Sequence, residues 1–139
     1  MKRNLIVTLT LVALSILTVS ASFAQNPVRA DVPFAFQINK TALPAGTYTV
    51  SEISDHAILI RARENPSCSL VTNYNSEEKL EAQSPRLIFH KYGNSYFLAE
   101  VWGSNGSIGM QLPESKREKE MQATNWGDSS QELVVVAMK

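Results

Sequence analysis

Alternation of apolar and polar residues with a period of two is the feature that most constrains this chain. In residues 32–38 the apolar positions are Val32, Phe34, Phe36 and Ile38. Successive side chains of a strand point to opposite faces, so this pattern predicts a strand with one buried face. Pro33 has no N–H to donate to a ladder, which predicts that the strand starts at, or lies on, a sheet edge.

Further strand patterns follow along the chain, separated by turn-forming residues. They cover residues 47–53, 57–62, 69–74, 86–92, 95–102 and 133–137. Gly93-Asn94 suits a type II′ turn, and that turn would place His90 opposite Phe97 and Phe89 opposite Leu98. The last segment, 133–137, is almost continuously apolar, which predicts a central strand covered on both faces.

The remaining segments predict loops and one helix. Residues 75–85 are polar and predict a loop with a possible helical turn at 77–81, and residues 103–109 predict another loop. Pro113–Gln122 is the one helix candidate, with proline in its first turn and no clear apolar stripe. Together these features predict an all-β fold: a small antiparallel β-sandwich or partly open barrel, Greek-key-like, with one short surface helix.

The first residues predict export. Lys2 and Arg3 precede an apolar stretch over residues 5–19, and small residues at Ser22 and Ala24 suit cleavage before Gln25. An N-terminal membrane anchor is the alternative, but a spanning helix needs about 20 apolar residues. We therefore expect a signal peptide at 1–24 and a single β domain at 25–139. The mature chain would be periplasmic or extracellular, without membrane insertion.

Charge and cysteine content narrow the classes of partner. The chain has 13 basic and 13 acidic residues, and loss of Lys2 and Arg3 leaves 11 against 13, a net charge of about −2. Nucleic-acid binding needs a clustered basic surplus, so we expect none. Cys68 has no second cysteine in the chain and lies in a strand-like run, which favours burial over modification or pairing between chains.

One motif has a specific structural meaning. Leu43-Pro44-Ala45-Gly46-Thr47-Tyr48 is typical of the tyrosine corner of Greek-key sandwiches, in which the tyrosine hydroxyl bonds back to the backbone. A glycine lets the chain turn tightly there. We therefore expect structural roles for Gly46 and Tyr48.

Two of these segments also carry a resemblance. The sequences V-P-F-A-F at 32–36 and L-P-A-G-T-Y-T-V at 43–50 are similar to those of short exported bacterial β proteins common in Acidobacteria. The hairpin residues 87–102 and the charged helix after residue 113 resemble the same group. The resemblance implies export and a single β domain, and it implies no activity and no site residue.

Candidate catalytic and metal-binding residues are sparse. His56 lies in a turn, where solvent exposure is expected, and His90 lies in mid-strand as a packing residue. Cys68 has no basic neighbour that would favour a thiolate. Glu52 and Glu100 are the first pair to inspect as glycosidase carboxylates, although solvent exposure is the simpler expectation for each. No catalytic triad, metal-ligand spacing or cofactor motif is expected.

The one feature compatible with ligand binding is aromatic. Trp102 ends a hairpin, and Trp126 follows Asn125 in a predicted loop, so these side chains could stack a sugar or anchor a peptide. Core packing is the alternative for both tryptophans. We therefore predict an exported, non-enzymatic β-sandwich with a binding or envelope-assembly role for an unidentified ligand or envelope protein. The alternatives are a small periplasmic hydrolase or lyase of envelope carbohydrate, and a subunit joined by strand addition. The oligomeric state stays open.

Overall fold

Strands make up most of the described chain. The computed structural model describes residues 27–54, 56–65, 69–73, 75–78, 84–103, 108–124 and 131–139. The earlier strands are β1 Val28–Val32, β2 Phe36–Ile38, β3 Thr41–Leu43, β4 Gly46–Ser54, β5 Ala57–Ala62 and β6 Ser69–Asn73. The later elements are β7 Asn75–Glu78, β8 Arg86–Tyr92, β9 Ser95–Trp102, β10 Ile108–Gln111, the helix α1 Lys116–Thr124 and β11 Glu132–Ala137.

The strands form two sheets that share one core. The smaller sheet has the antiparallel order β1-β4-β5-β6, and the larger has the order β11-β8-β9-β10-β7. In the larger sheet β2 pairs with β3 and makes one parallel contact to β9. Val50 and Ile60 from the first sheet pack in the same cluster as Leu87 and Leu98 from the second. The predicted small β-sandwich with one short helix is confirmed.

The chain crosses from one sheet to the other between β1 and β2. The alternation over residues 32–38 predicts one strand, and that prediction is wrong: Val32 ends β1 in the smaller sheet, and Phe36 begins β2 in the larger. Pro33 lies at the break, where its missing N–H cannot continue a ladder. Phe34 still packs against the core. The alternation therefore predicts which side chains are buried, although they belong to two strands.

The β8–β9 hairpin has the predicted register. Gly93 has a φ of 59°, the left-handed conformation that the first position of a type II′ turn requires. His90 pairs with Phe97, and Phe89 pairs with Leu98. Because a two-residue turn fixes the pairing of both strands, the sequence was sufficient to give these cross-strand neighbours.

The polar segment after β6 is a strand where the sequence predicts a loop. Asn75–Glu78 pairs antiparallel with β10, and it lies at the end of the sheet order. The prediction of a loop with a helical turn at 77–81 is therefore wrong over β7. An edge strand can be held by backbone hydrogen bonds alone, which require no apolar alternation. Likewise, β10 begins at Ile108, within the predicted loop 103–109.

The strand β11 lies at a sheet edge, although its apolar run predicts a central strand. Its ladder is with β8, and it ends the order of the larger sheet. Leu133 and Val135 are 59% and 58% exposed, whereas Val134 and Val136 pack against the core. The prediction of two covered faces is wrong, because an apolar run cannot specify what lies over its second face.

The C-terminal residues join the two sheets at one corner. Lys139 exchanges two backbone hydrogen bonds with Arg29 of β1, of 2.8 and 3.0 Å. Met138 forms a bridge with Ala30 and is buried in the core. The last residues of the chain therefore continue from β11 of the larger sheet to the edge strand of the smaller one.

A second buried layer covers the outer face of the larger sheet. Ile88, Tyr92, Phe97 and Trp102 are buried but do not belong to the main core. They alternate along β8 and β9 with core residues, so they lie on the opposite face of the sheet. The helix α1 contacts this outer face through His90 and Tyr92.

The helix begins later than its sequence predicts. Pro113–Gln122 is the predicted range, and the structure has Lys116–Thr124. Ser115 is the N-cap, because its Oγ accepts a 3.1 Å hydrogen bond from the backbone N–H of Glu118. The proline therefore precedes the helix instead of occupying its first turn, and the N-cap serine sets the start.

Candidate functional site

The predicted aromatic site is only partly within the described chain. Trp102 is 0% exposed, and its Nε1 donates a 2.9 Å hydrogen bond to Oε2 of Glu100. It therefore presents no exposed ring face on which a ligand could stack. Asn125 and Trp126 lie outside the described residues, so their binding role stays a prediction.

The tyrosine corner has the hydrogen bond that its motif predicts. Tyr48 is 1% exposed, and its hydroxyl donates a 2.5 Å hydrogen bond to the carbonyl oxygen of Pro44. A Cβ at Gly46 would lie 3.9 Å from the Tyr48 ring, an ordinary contact, so glycine is not required there for space. The corner is built by the tyrosine and the proline carbonyl.

The two carboxylates singled out from the sequence as glycosidase candidates lie in different sheets. His56 is exposed in its turn, as expected. Glu52 lies in β4 of the smaller sheet, and Glu100 lies in β9 of the larger, where its carboxylate accepts the Trp102 hydrogen bond. Cys68 lies outside the described residues.

A polar cluster that the sequence did not predict joins α1 to the larger sheet. Nδ1 of His90, in β8, lies 2.7 Å from Oε1 of Glu118, in the first turn of α1. The two side chains are 17% and 4% exposed. A buried carboxylate is stabilised when it is paired, and here an imidazole is the partner. Its position near the helix N-terminus adds a favourable interaction with the helix dipole.

A second contact runs parallel to the first. Nε2 of Gln122 donates a 2.8 Å hydrogen bond to the hydroxyl oxygen of Tyr92. Tyr92 follows His90 by two strand residues, roughly 6.6 Å along a strand, and Gln122 follows Glu118 by four helix residues, roughly 6 Å along a helix. The two spacings match closely enough for one helix face to pair with one strand face.

Glu114 completes the cluster from the segment before α1. Its Oε1 accepts a 3.1 Å hydrogen bond from Nε2 of Gln122. One ligand atom from each of His90, Glu114 and Glu118 lies within 4.8 Å of the other two. We define these three side chains as the His90 cluster. Spacing in the sequence predicted no such grouping, and tertiary structure brings these three side chains together.

The cluster affects the neighbouring tyrosine. Burial raises the pKa of Tyr92, because the phenolate loses its contact with water. The hydrogen bond from Gln122 acts in the opposite direction, and the carboxylates of Glu118 and Glu114 raise the pKa further. The Tyr92 hydroxyl therefore stays protonated and can act as a hydrogen-bond donor near the two carboxylates.

The sequence contains a local pattern that involves one member of the His90 cluster, Glu118. Ser115-Lys116-Arg117-Glu118 has the S-x-x-E spacing of a capping box. The serine half forms, but the Glu118 carboxylate bonds to His90 instead of returning to the N-cap. Glu114 and Glu118 are also four residues apart, a spacing that can place two carboxylates on one side of a chain segment. Neither spacing indicates that the partner of Glu118 is a histidine.

An apolar strip lies beside the His90 cluster. On β11 the exposed residues Leu133 and Val135 pair in register with His90 and Ile88 of β8. We define Leu133 and Val135 as the β11 strip. It lies next to the polar contacts of α1, at the terminal strand of the larger sheet.

Comparisons with protein-family models, with curated proteins and with solved structures find no match for this chain. Within the described residues, no helix combines the length and apolar character needed to cross a membrane. The resemblance to short exported bacterial proteins stays a prediction based on its motifs.

Proposed function

We propose that this protein is an exported, non-enzymatic β-sandwich that binds an extended segment of an envelope protein at β11. The observation that carries the proposal is the exposure of the β11 strip, with more than half of Leu133 and of Val135 open to solvent. Large apolar side chains adjacent to each other on one exposed strand face are a common mark of an interaction surface.

The position of the strip favours strand addition. Edge strands are normally protected by charge, proline or bulges. Within the described ranges, β11 has an ion pair at its start, where Nζ of Lys91 lies 2.7 Å from Oε2 of Glu132. In the described part of the chain beyond β11, the residues that pair with β1 are Met138 and Lys139. An extended apolar segment could therefore pair with the residues of β11 itself and cover the β11 strip.

Site-specific crosslinking tests this proposal. A photoreactive phenylalanine analogue replaces Leu133 in the exported chain, and the matched control carries it at Ile53, which is 48% exposed on β4 of the other sheet. We expect position 133, but not position 53, to crosslink to one envelope protein that mass spectrometry identifies. A further Val135→Lys substitution should abolish that crosslink, while the corresponding Ile53→Lys substitution leaves it.

The outcomes separate the alternatives. Equal crosslinking from both positions, or none from position 133, would contradict the proposal. A crosslink only to a second copy of this chain would replace the envelope partner with self-association. Circular dichroism of each variant checks that the fold is intact.

A hydrolase or lyase of envelope carbohydrate is the second candidate. The specific observation in its favour is the buried Glu118 carboxylate bonded to Nδ1 of His90, an arrangement that orients an imidazole for proton transfer at Nε2. Activity on envelope carbohydrate that is lost in His90→Gln but kept in His56→Gln would support it. An inactive parent protein would exclude it for the substrates assayed.

A further inference from the structure

We infer that the His90 cluster binds a divalent transition-metal ion of the zinc type between β8 and α1. Its ligand atoms lie within 4.8 Å of one another, and two of them, His90 Nδ1 and Glu118 Oε1, are already 2.7 Å apart. Ligands of a tetrahedral zinc ion are roughly 3.3 Å apart, as zinc bonds to nitrogen and oxygen of about 2.0–2.2 Å require. Small side-chain shifts would therefore bring all three to one ion.

The charge of the cluster provides an independent argument. Glu114 and Glu118 place two carboxylates together, and the ion pairs of the described residues include no lysine or arginine partner for either one. Glu118 is 3% exposed, and its carboxylate bonds to Nδ1 of His90 through Oε1. A buried carboxylate is costly unless it is paired or coordinates a metal. A dication would balance both carboxylates while His90 remained neutral.

The donor set indicates the class of ion. One imidazole nitrogen and two carboxylate oxygens suit zinc and its first-row neighbours, whereas magnesium and calcium prefer oxygen ligands alone. Glu114 is exposed, so the cluster borders solvent on that side. Three protein ligands would leave one coordination position of a zinc ion to water or to another donor.

Outer contacts already hold two of the ligands in place. Gln122 donates to Oε1 of Glu114 and to the Tyr92 hydroxyl, and the Ser115 cap fixes the first turn that carries Glu118. Outer hydrogen bonds of this kind orient ligands and increase metal affinity. This inference does not depend on the proposed partner of β11.

Isothermal titration calorimetry with Zn²⁺ tests the site in the processed chain after treatment with a chelator. We expect one ion to bind per chain, and bound Co²⁺ to show the intense visible absorption of tetrahedral coordination. His90→Gln and Glu114→Gln should each weaken binding at least about tenfold. The matched controls His56→Gln and Glu120→Gln should keep the affinity of the parent, because neither residue belongs to the cluster.

The proposal is overturned if the parent does not bind Zn²⁺, or if Glu114→Gln binds it as tightly as the parent. Loss of binding in His56→Gln would move the site elsewhere and would also overturn it. Since Glu114 is exposed, its variant keeps the test valid even if His90→Gln unfolds. Thermal unfolding without metal shows which variants are folded.

Discussion

The indole ring of Trp102 lies against the backbone of Gly109 on the neighbouring strand. The two residues pair across β9 and β10, and a Cβ at position 109 would lie 2.4 Å from Cζ2 of Trp102. Glycine within a strand has no side chain to pack, and an aromatic neighbour can cover the exposed backbone. The buried tryptophan therefore has a packing role that depends on the glycine.

Gly109→Ala should destabilise the protein by about 1–3 kcal/mol, because the new methyl group would overlap the indole ring. Urea denaturation measures the change. The control is Gly103→Ala, where a Cβ would lie 3.9 Å from Cε of Met110, an ordinary contact. A Gly109→Ala protein as stable as the Gly103→Ala protein would contradict this packing.

Tyr48→Phe should lower the free energy of unfolding by about 0.5–1.5 kcal/mol, since the hydrogen bond from the Tyr48 hydroxyl to the carbonyl oxygen of Pro44 is lost. The control is Tyr96→Phe. The Tyr96 ring stacks on Phe34, and its hydroxyl bonds to no group in the described part of the chain. We expect that control to unfold at nearly the parent urea concentration. If both variants lose the same stability, the corner hydrogen bond contributes nothing specific.

Glu118→Ala should cost about 2 kcal/mol of stability, because a hydrogen bond to a charged, buried group is lost. Glu120→Ala, two residues along the same helix, should cost less than about 0.5 kcal/mol, since its 3.9 Å pair with Lys116 is exposed. Thermal and urea unfolding in the absence of metal give both values. Equal losses would contradict a specific contribution of the contact with His90, because the change in helix propensity from Glu to Ala is of the same type at both positions.

Asp31 should make stability depend on pH in the acidic range. The 2.7 Å hydrogen bond from the Thr47 hydroxyl lowers the pKa of Asp31, with a smaller contribution from Arg29 and a partly opposing effect of burial. A pKa that is lower in the folded state stabilises the protein above the pKa of the unfolded chain. That stabilisation is lost as pH falls through the folded pKa.

The stability advantage of the parent over Thr47→Val should therefore be larger at about pH 7 than at about pH 3. Urea denaturation at both pH values gives the comparison. Asp31→Asn should reduce the pH dependence at least as much as Thr47→Val, because it also removes the contribution of Arg29. A difference between parent and Thr47→Val that stays constant with pH would contradict the role of this hydrogen bond.

Local features of the sequence determined a large part of the fold. The Gly93-Asn94 turn gave the β8–β9 register, and the alternation of apolar residues gave the buried positions on both sides of Pro33. The motif around Tyr48 predicted its hydrogen bond to the backbone. These predictions succeed because turn geometry and side-chain alternation act over a few neighbouring residues.

The arrangement of strands was decided by tertiary structure. The polar segment β7 becomes a strand because β10 supplies backbone partners, and β11 lies at an edge although its sequence suits the middle of a sheet. The local sequence of β7 or of β11 does not specify its place in the sheet, because strand pairing depends on which other strand packs beside it. The exposure of Leu133 and Val135 follows from that placement.

The His90 cluster depends on tertiary structure in the same way. From the sequence alone, His90 is predicted to be a packing residue, and no role is predicted for Glu118. The fold places α1 on β8 so that the Glu118 carboxylate meets an imidazole 28 residues away in the chain. The sequence by itself determined a sandwich, a hairpin and a corner, because those depend on short-range geometry. Only packing of a helix on a distant strand could bring the cluster together, because no local pattern specifies which residues meet across that contact.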